Sequence, residues 1–289
     1  MNIEPFLARA GKKLNLKDHP TDFTGDYKGK KDAEKDLQKN IKRLAELQDV
    51  LYAQNVHALL IIFQAMDAAG KDSTIKHVMS GINPQGCQVV SFKQPSAEEL
   101  DHDFLWRCAI ATPERGRIGI FNRSHYEEVL VVRVHPQILQ AQQLPDEVKN
   151  DKNIWKNRFR QIKNFEETLA ENGIHTIKFF LHVSKEEQKN RFLARIDEPD
   201  KNWKFSAGDA KERELWDDYM NAYCDAIEST STEKAPWYII PADKKWFMRL
   251  AVSEIIVKKL ESLDLRYPVL PEAHKQELAE AKKMLEGEK

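Results

Sequence analysis

The stretch Ala65-Met66-Asp67-Ala68-Ala69-Gly70-Lys71-Asp72-Ser73-Thr74 gathers residue types that hold an anion. Small residues ending in a glycine let successive backbone N–H groups converge on a phosphate, and the lysine that follows adds a mobile positive charge. Ala68, Ala69, Gly70, Lys71, Asp72 and Ser73 are therefore the candidate phosphate contacts. Two carboxylates, Asp67 and Asp72, flank this cradle and would repel a phosphate unless a cation stood between them. Oxygen ligands beside phosphates suit Mg2+, which takes one or two carboxylates and keeps several waters. Asp67 is the candidate metal ligand; Asp72 has a second reading as a favourable charge at a helix N-terminus.

A second polar cluster ends an apolar run, Gly119-Ile120-Phe121-Asn122-Arg123-Ser124-His125-Tyr126-Glu127. Open α/β sheets bind ligands at such strand ends, and the planar fork of Arg123 matches phosphate. Glu127, four residues on, shares a helical face with Arg123, which fits either a site residue or a plain salt bridge. Arg133 interrupts the apolar Val131, Val132 and Val134, where a solvated charge is less expected. His125 and His135 have the chemistry of general bases, but transfer between phosphates needs none, so structural roles are preferred for both. Further on, Arg191 and Arg195 fall one helical turn apart, and the turn-rich residues 197–208 carry Lys201 and Lys204. This region, about 195–210, reads as a lid that closes over phosphates and excludes water. Eight Lys/Arg and seven Asp/Glu share residues 185–213, so any anion channel there must be assembled by folding. Trp203, Trp216 and Trp237 sit among apolar residues and read as core rather than as a base-stacking platform.

These clusters need a frame. His57–Gln64 is a short apolar run immediately before the cradle, as in a strand covered on both faces. Comparable runs recur at Cys87–Phe92, Arg117–Phe121, Thr176–Val183 and Trp237–Ile240. Helical patterns separate them. Leu37, Ile41, Leu44, Leu47 and Leu51 form one stripe, and Trp155, Phe159, Ile162, Phe165 and Leu169 form another that Gly173 should end. Ser96 with Glu99 and Ser184 with Glu187 have capping-box spacing. The alternation predicts an α/β protein, one doubly wound domain over residues 1–289. Residues 1–30 read as a polar, mobile N-terminal arm leading into a helix, and 266–289 as a charged, mobile C-terminal helix. The phosphate loop resembles a Walker A motif with two departures: Ala65 in place of the first glycine, and Asp72 where a Ser or Thr would follow the lysine.

The whole chain has 289 residues, 41% hydrophobic and 31% charged, which allows a sizeable core and excludes wholesale disorder. A formal charge of -1 argues against a non-specific nucleic-acid coat. Three cysteines without a CxxC pattern make a disulfide framework or structural zinc site improbable. No apolar run approaches the ~20 residues of a membrane span, and the N-terminus lacks a signal core. A cytoplasmic protein with no membrane or nucleic-acid partner is expected.

Several segments together resemble family-2 polyphosphate kinases: AMDAAGKD, FNRSHYE with its VLVVRV continuation, RFLARIDEPDKNWKFSAGD, WDDY and TSTEKAPWYIIPADKKW. The resemblance spans roughly residues 30–265, in order, and FNRSHYE in place of an FDRSWY-like form points to the subgroup called class III. It implies a P-loop kinase-like three-layer αβα fold with a five-stranded parallel sheet and a helical lid. It also implies phosphoryl transfer between inorganic polyphosphate and nucleoside mono- and diphosphates, AMP through ADP to ATP or the guanine equivalents, with Mg2+ or Mn2+. By position it assigns Asp67, Gly70, Lys71 and Asp72 to the phosphate loop. Asn122 stands where other classes carry a Walker B aspartate, and Arg123 beside the transferring phosphates. Glu127 and Arg133 fall near the nucleotide, with Glu127 a second metal candidate; Asp67, Lys71, Arg123 and Arg133 are the expected catalytic residues, both arginines offsetting charge on the equatorial oxygens, and Arg191, Arg195 and Lys204 lie in the polyphosphate-binding lid. A homo-oligomer, dimer or tetramer, is expected. The competing readings are a nucleotide or metabolite kinase using only ATP as donor, and a non-catalytic P-loop module.

Overall fold

The computed structural model describes residues 1–204 and 207–288, with the side chains of residues 201, 203, 204 and 207 outside the description. Six strands form one sheet: β1 (Leu7–Ala8), β2 (Ala58–Gln64), β3 (Cys87–Ser91), β4 (Ile118–Asn122), β5 (Ile174–His182) and β6 (Trp237–Pro241). Their spatial order is β1-β6-β5-β2-β4-β3. Strands β2 to β6 are mutually parallel, at the positions where the apolar runs predict them. All seven residues of the central β2 are buried, which is why its sequence is a continuous apolar run rather than an alternation.

The sheet is mixed and six-stranded rather than purely parallel and five-stranded. The addition is β1, whose Leu7 pairs with Tyr238 and Ala8 with Trp237 in antiparallel register. Two residues are too few to show a hydrophobic period. Nor is the arm a loose tail: Phe6, Ala8 and Leu16 are buried, and Phe6 meets Phe247 edge-on at 6.1 Å.

The principal helices are α1 (Lys30–Gln54), α2 (Lys71–Val78), α3 (Ile154–Glu171), α4 (Lys185–Asp197), α5 (Trp216–Thr230), α6 (Lys245–Glu261) and α7 (Glu272–Glu286). The leucine stripe of α1 buries Leu37, Leu44, Leu47 and Leu51, and the helix ends at Asn55, whose left-handed φ of 52° returns its N–H to Leu51. Helix α6 packs against α1 and α2, while α3 packs against α5 and β5. Right-handed crossovers that run outward in opposite directions from β2 put these groups on opposite faces. Where the winding reverses, the C-terminal ends of β2 and β4 leave a crevice that the intervening helices do not fill. Helix α7, by contrast, buries none of its residues. No helix among the described residues is long and apolar enough to cross a membrane.

Behind that crevice lies a buried polar cluster. Lys178, in the middle of β5, is fully buried and donates to Glu166 Oε2, to Tyr126 Oη at 3.0 Å and to the Thr230 carbonyl at 2.9 Å. Tyr126 Oη is also 2.9 Å from Glu166 Oε1. An ion pair survives such burial only when its remaining hydrogen-bonding capacity is met, as here. The cluster pins Tyr126, and with it the short helix His125–Val129 that carries Glu127.

Candidate active site

The chain leaves β2 into the loop 65–70 and enters α2 at Lys71. Ala68 and Gly70 adopt left-handed φ values of 61° and 111°. At Gly70 a Cβ would also stand 3.2 Å from Met248 Cε, so both conformation and space favour glycine. Three successive loop carbonyls are drawn toward α4: Gln188 Nε2 donates to Asp67 O at 2.9 Å, and Arg191 Nη1 donates to Ala68 O and Ala69 O at 3.1 and 2.7 Å. The first-turn amides of α2 have no partner inside their helix and supply positive potential at the loop. Lys71 folds back, its Nζ donating to Ala65 O at 2.9 Å.

Strand β4 brings the second cluster alongside. Arg123, at φ 64°, donates from Nη2 to Asp67 Oδ1 at 3.0 Å, and its Nη1 lies 3.8 Å from Glu127 Oε2. Asn122 donates to Asp72 Oδ1 at 2.7 Å. Sequence-distant Asp67, Lys71, Asp72, Asn122, Arg123 and Glu127 thus meet at one sheet edge. Burial pushes the Lys71 ammonium below its ordinary pKa, against the attraction of Asp67. Burial pushes the Glu127 carboxyl up, with Arg123 and Lys71 pulling the other way. Burial would lower Arg123, but Glu127 and Asp67 outweigh it and hold the guanidinium above its ordinary value.

A cleft of about 770 Å³ opens over the loop. Its described lining holds six Lys/Arg (Lys71, Lys93, Arg123, Arg191, Arg195, Lys245) against three Asp (Asp67, Asp72, Asp209). Folding therefore builds the positive channel that charge counting along residues 185–213 does not show. Ser73 also lines it. Lys93 and Lys245 escape the sequence reading because each is an ordinary lysine far from the loop in sequence, one after β3 and one at the start of α6. A second cleft, of about 810 Å³, has the opposite balance, six Asp/Glu against three Arg, and lacks the loop. A polyanion belongs in the first.

Other expectations are redirected. Arg191 is buried, and besides the loop carbonyls it donates to Ala242 O and Asp243 O at 2.6 and 3.2 Å. Its guanidinium braces the loop from beneath instead of presenting its fork to a phosphate. Arg133 does not line the cleft: it donates to Asp225 Oδ2 at 2.5 Å, and its Nη1 is buried without a hydrogen-bond partner. The side chain of Lys204 lies outside the described residues, as does that of Trp203. His125 is buried with neither ring nitrogen hydrogen-bonded, and burial lowers its pKa. His135 faces Glu212 at 3.0 Å. Trp216 and Trp237 are core residues.

Residues 27–268 match the family model described as Polyphosphate kinase 2 (PPK2). The chain is 54% identical, over 99% of both chains, to the ADP-polyphosphate phosphotransferase of Rhodopseudomonas palustris. It is 48% identical, over 78% of itself and 80% of the relative, to the AMP/ADP-polyphosphate phosphotransferase of Meiothermus ruber. The crystal structure of Polyphosphate Kinase 2 from Arthrobacter aurescens TC1 superposes with a TM-score of 0.84 at 41% identity, covering 94% of each chain. With the loop, its lysine and the flanking arginine all in place, the chain belongs to the polyphosphate kinase 2 family.

Proposed function

We propose that this protein transfers a phosphoryl group between inorganic polyphosphate and adenine nucleotides, making ADP from AMP and ATP from ADP. The observation that carries the reading is the positive cleft over the phosphate loop, six Lys/Arg against three Asp. The five parallel strands, in the order β3-β4-β2-β5-β6, support the P-loop kinase-like class and three-layer arrangement within one catalytic domain. Both relatives are named for ADP, and the Meiothermus protein for AMP as well, which supports the class III assignment.

Among the described residues no three His, Cys, Asp or Glu gather as a metal site. The reading is of Mg2+ or Mn2+ held by one carboxylate together with phosphate oxygens and water. Asp67, part-exposed at the cleft, is the ligand we assign; Glu127, enclosed behind Arg123, acts chiefly through that guanidinium. The ion would neutralise phosphate charge. The loop amides and Lys71 hold the phosphates at the transfer point, with Arg123 offsetting charge on the equatorial oxygens. Arg195, at the cleft, extends the polyphosphate path toward the lid. Asn122 fixes Asp72, while Arg133, paired with Asp225 off the cleft, serves the nucleotide side only indirectly. The attacking phosphate oxygen is already ionised at neutral pH, so no general base is required and transfer is direct and in line. Exposed Val269, Leu278 and Leu285 support self-association as a dimer or tetramer.

Incubation with long-chain polyphosphate, a divalent ion and AMP, ADP or GDP, with nucleotide separation, tests the reading. ATP from ADP and from AMP is the expected result, with guanine products reporting base choice. Phosphoryl transfer from ATP with no reaction of polyphosphate would establish the ATP-only kinase instead, and a phosphohistidine at His125 or His135 would contradict direct transfer.

A further inference from the structure

We propose that Gln188 is a positioning residue that couples the lid to the phosphate loop; the assignment rests on the kinase reading above. Gln188 lies in the first turn of α4 and is 1% exposed. Its Nε2 donates to Asp67 O at 2.9 Å, while its Oε1 accepts from Arg213 Nη1 at 2.7 Å. The same Arg213 nitrogen donates to Lys185 O at 2.9 Å. Arg213 stands where the chain returns from the lid, and α4 is where it departs. One buried amide therefore ties Arg213, on the returning side of the lid, and the first turn of the helix that leads into it to the peptide that carries Asp67.

The chemistry of the two partners fixes its orientation. A carbonyl can only be met by the amide nitrogen and a guanidinium only by the amide oxygen, so neither contact survives a flip of the side chain. The peptide it holds precedes Ala68, a non-glycine residue at φ 61°, a conformation that persists only when its surroundings enforce it. Next to Arg213, Glu212 accepts from Tyr219 Oη at 2.7 Å and lies 3.0 Å from His135 Nε2. Displacement of the helical segment that returns from the lid is thereby passed through Arg213 to Gln188 and on to the Asp67 peptide. The coupling sets how the loop is aligned at transfer rather than how polyphosphate is captured.

Gln188→Glu keeps an acceptor for Arg213 but sets a carboxylate oxygen against Asp67 O. It should lower kcat for ATP formation from ADP and polyphosphate about tenfold or more, with KM for polyphosphate within about threefold. Arg213→Ala should lower kcat in the same pattern. The double variant Gln188→Ala, Arg213→Ala should be no slower than Gln188→Ala alone, because the second change has nothing left to transmit. Multiplying effects in that cycle, or an unchanged kcat in Arg213→Ala, would overturn the coupling. Hydrogen exchange keeps the test open whatever the activity or the folding of the Gln188 variants. In Arg213→Ala the amides of residues 65–70 should exchange faster, and unaltered protection there would refute the proposal. A wild-type protein that makes no ATP from polyphosphate would sink the kinase reading instead, leaving the exchange result to decide the coupling.

Discussion

Lys71→Met separates the cost of folding the site from its use. Methionine keeps the length and removes the charge. In the folded protein the Lys71 Nζ makes one hydrogen bond, to Ala65 O, and burial opposes its charged form. Because its folded pKa is lowered, the unfolded chain binds the proton more tightly, and the charged ammonium detracts from stability at neutral pH. Losing one hydrogen bond to a charged donor removes about 1.5–3 kcal/mol, while relief of ammonium burial acts in the opposite direction. Stability should therefore stay within ~1 kcal/mol of wild type, about 2–4 °C in melting temperature for a chain of this size. Activity should not be spared. A preorganised positive donor at a transferring phosphate contributes about 2.7–4 kcal/mol, so kcat/KM should fall by about 10²–10³. The assays are ATP formation from ADP and polyphosphate, and calorimetry on the same preparation. Turnover within about fivefold of wild type would refute the placement of Lys71 at the transfer point. Collapse of the melting transition would instead mark it as structural.

Three further outcomes follow from the geometry. Asn122→Asp replaces the amide that donates to Asp72 at 2.7 Å with a second carboxylate. The repelling pair should shift the divalent-ion requirement for activity to an altered concentration, read from a metal titration, and an identical curve would mean the two side chains do not sense the ion. Glu166→Gln leaves Lys178 charged and unpaired in the core, and should cost about 3–5 kcal/mol in urea unfolding; a loss below ~1 kcal/mol would show that the cluster is not an ion pair. His175, whose Nε2 lies 3.2 Å from His57 Nδ1 at the far end of the sheet, has its pKa lowered to about 4 by burial, with Lys259 and His57 adding to the effect. The neutral ring therefore supports folding above its unfolded pKa of about 6.5, and that support is lost as pH falls toward 4. His175→Gln should flatten the decline in denaturant midpoint between pH 7 and 4.5, and an unchanged slope would assign the decline to other groups.

The phosphate loop was legible because its chemistry is contiguous: a strand, six loop residues, a lysine and a helix occupy one unbroken segment. The parallel strands were legible because burial on both faces forces continuous apolar runs. What escaped depends on contacts made over long sequence separations. Arg133 is an odd charge among valines until Asp225, on another helix, supplies its partner. Arg191 has the right residue type for phosphate, yet the fold brings four carbonyls to it first. Gln188, neutral and unremarkable in a charged helix, shows its importance only through what it touches. The arm looks polar because its few anchors, Phe6, Ala8 and Leu16, are spaced without a period.

Asp243 gives the molecule a consequence well away from the reaction. Its carboxylate accepts from Thr21 Oγ1 at 2.7 Å and from the Ser184 amide at 2.8 Å, and its own carbonyl accepts from Arg191. One aspartate thereby fastens the N-terminal arm to the root of α4, beside the phosphate loop. Trimming the first two dozen residues as dispensable would unbuckle that root, so protein engineers seeking a shorter or differently tagged version have more freedom at the solvent-facing carboxyl end.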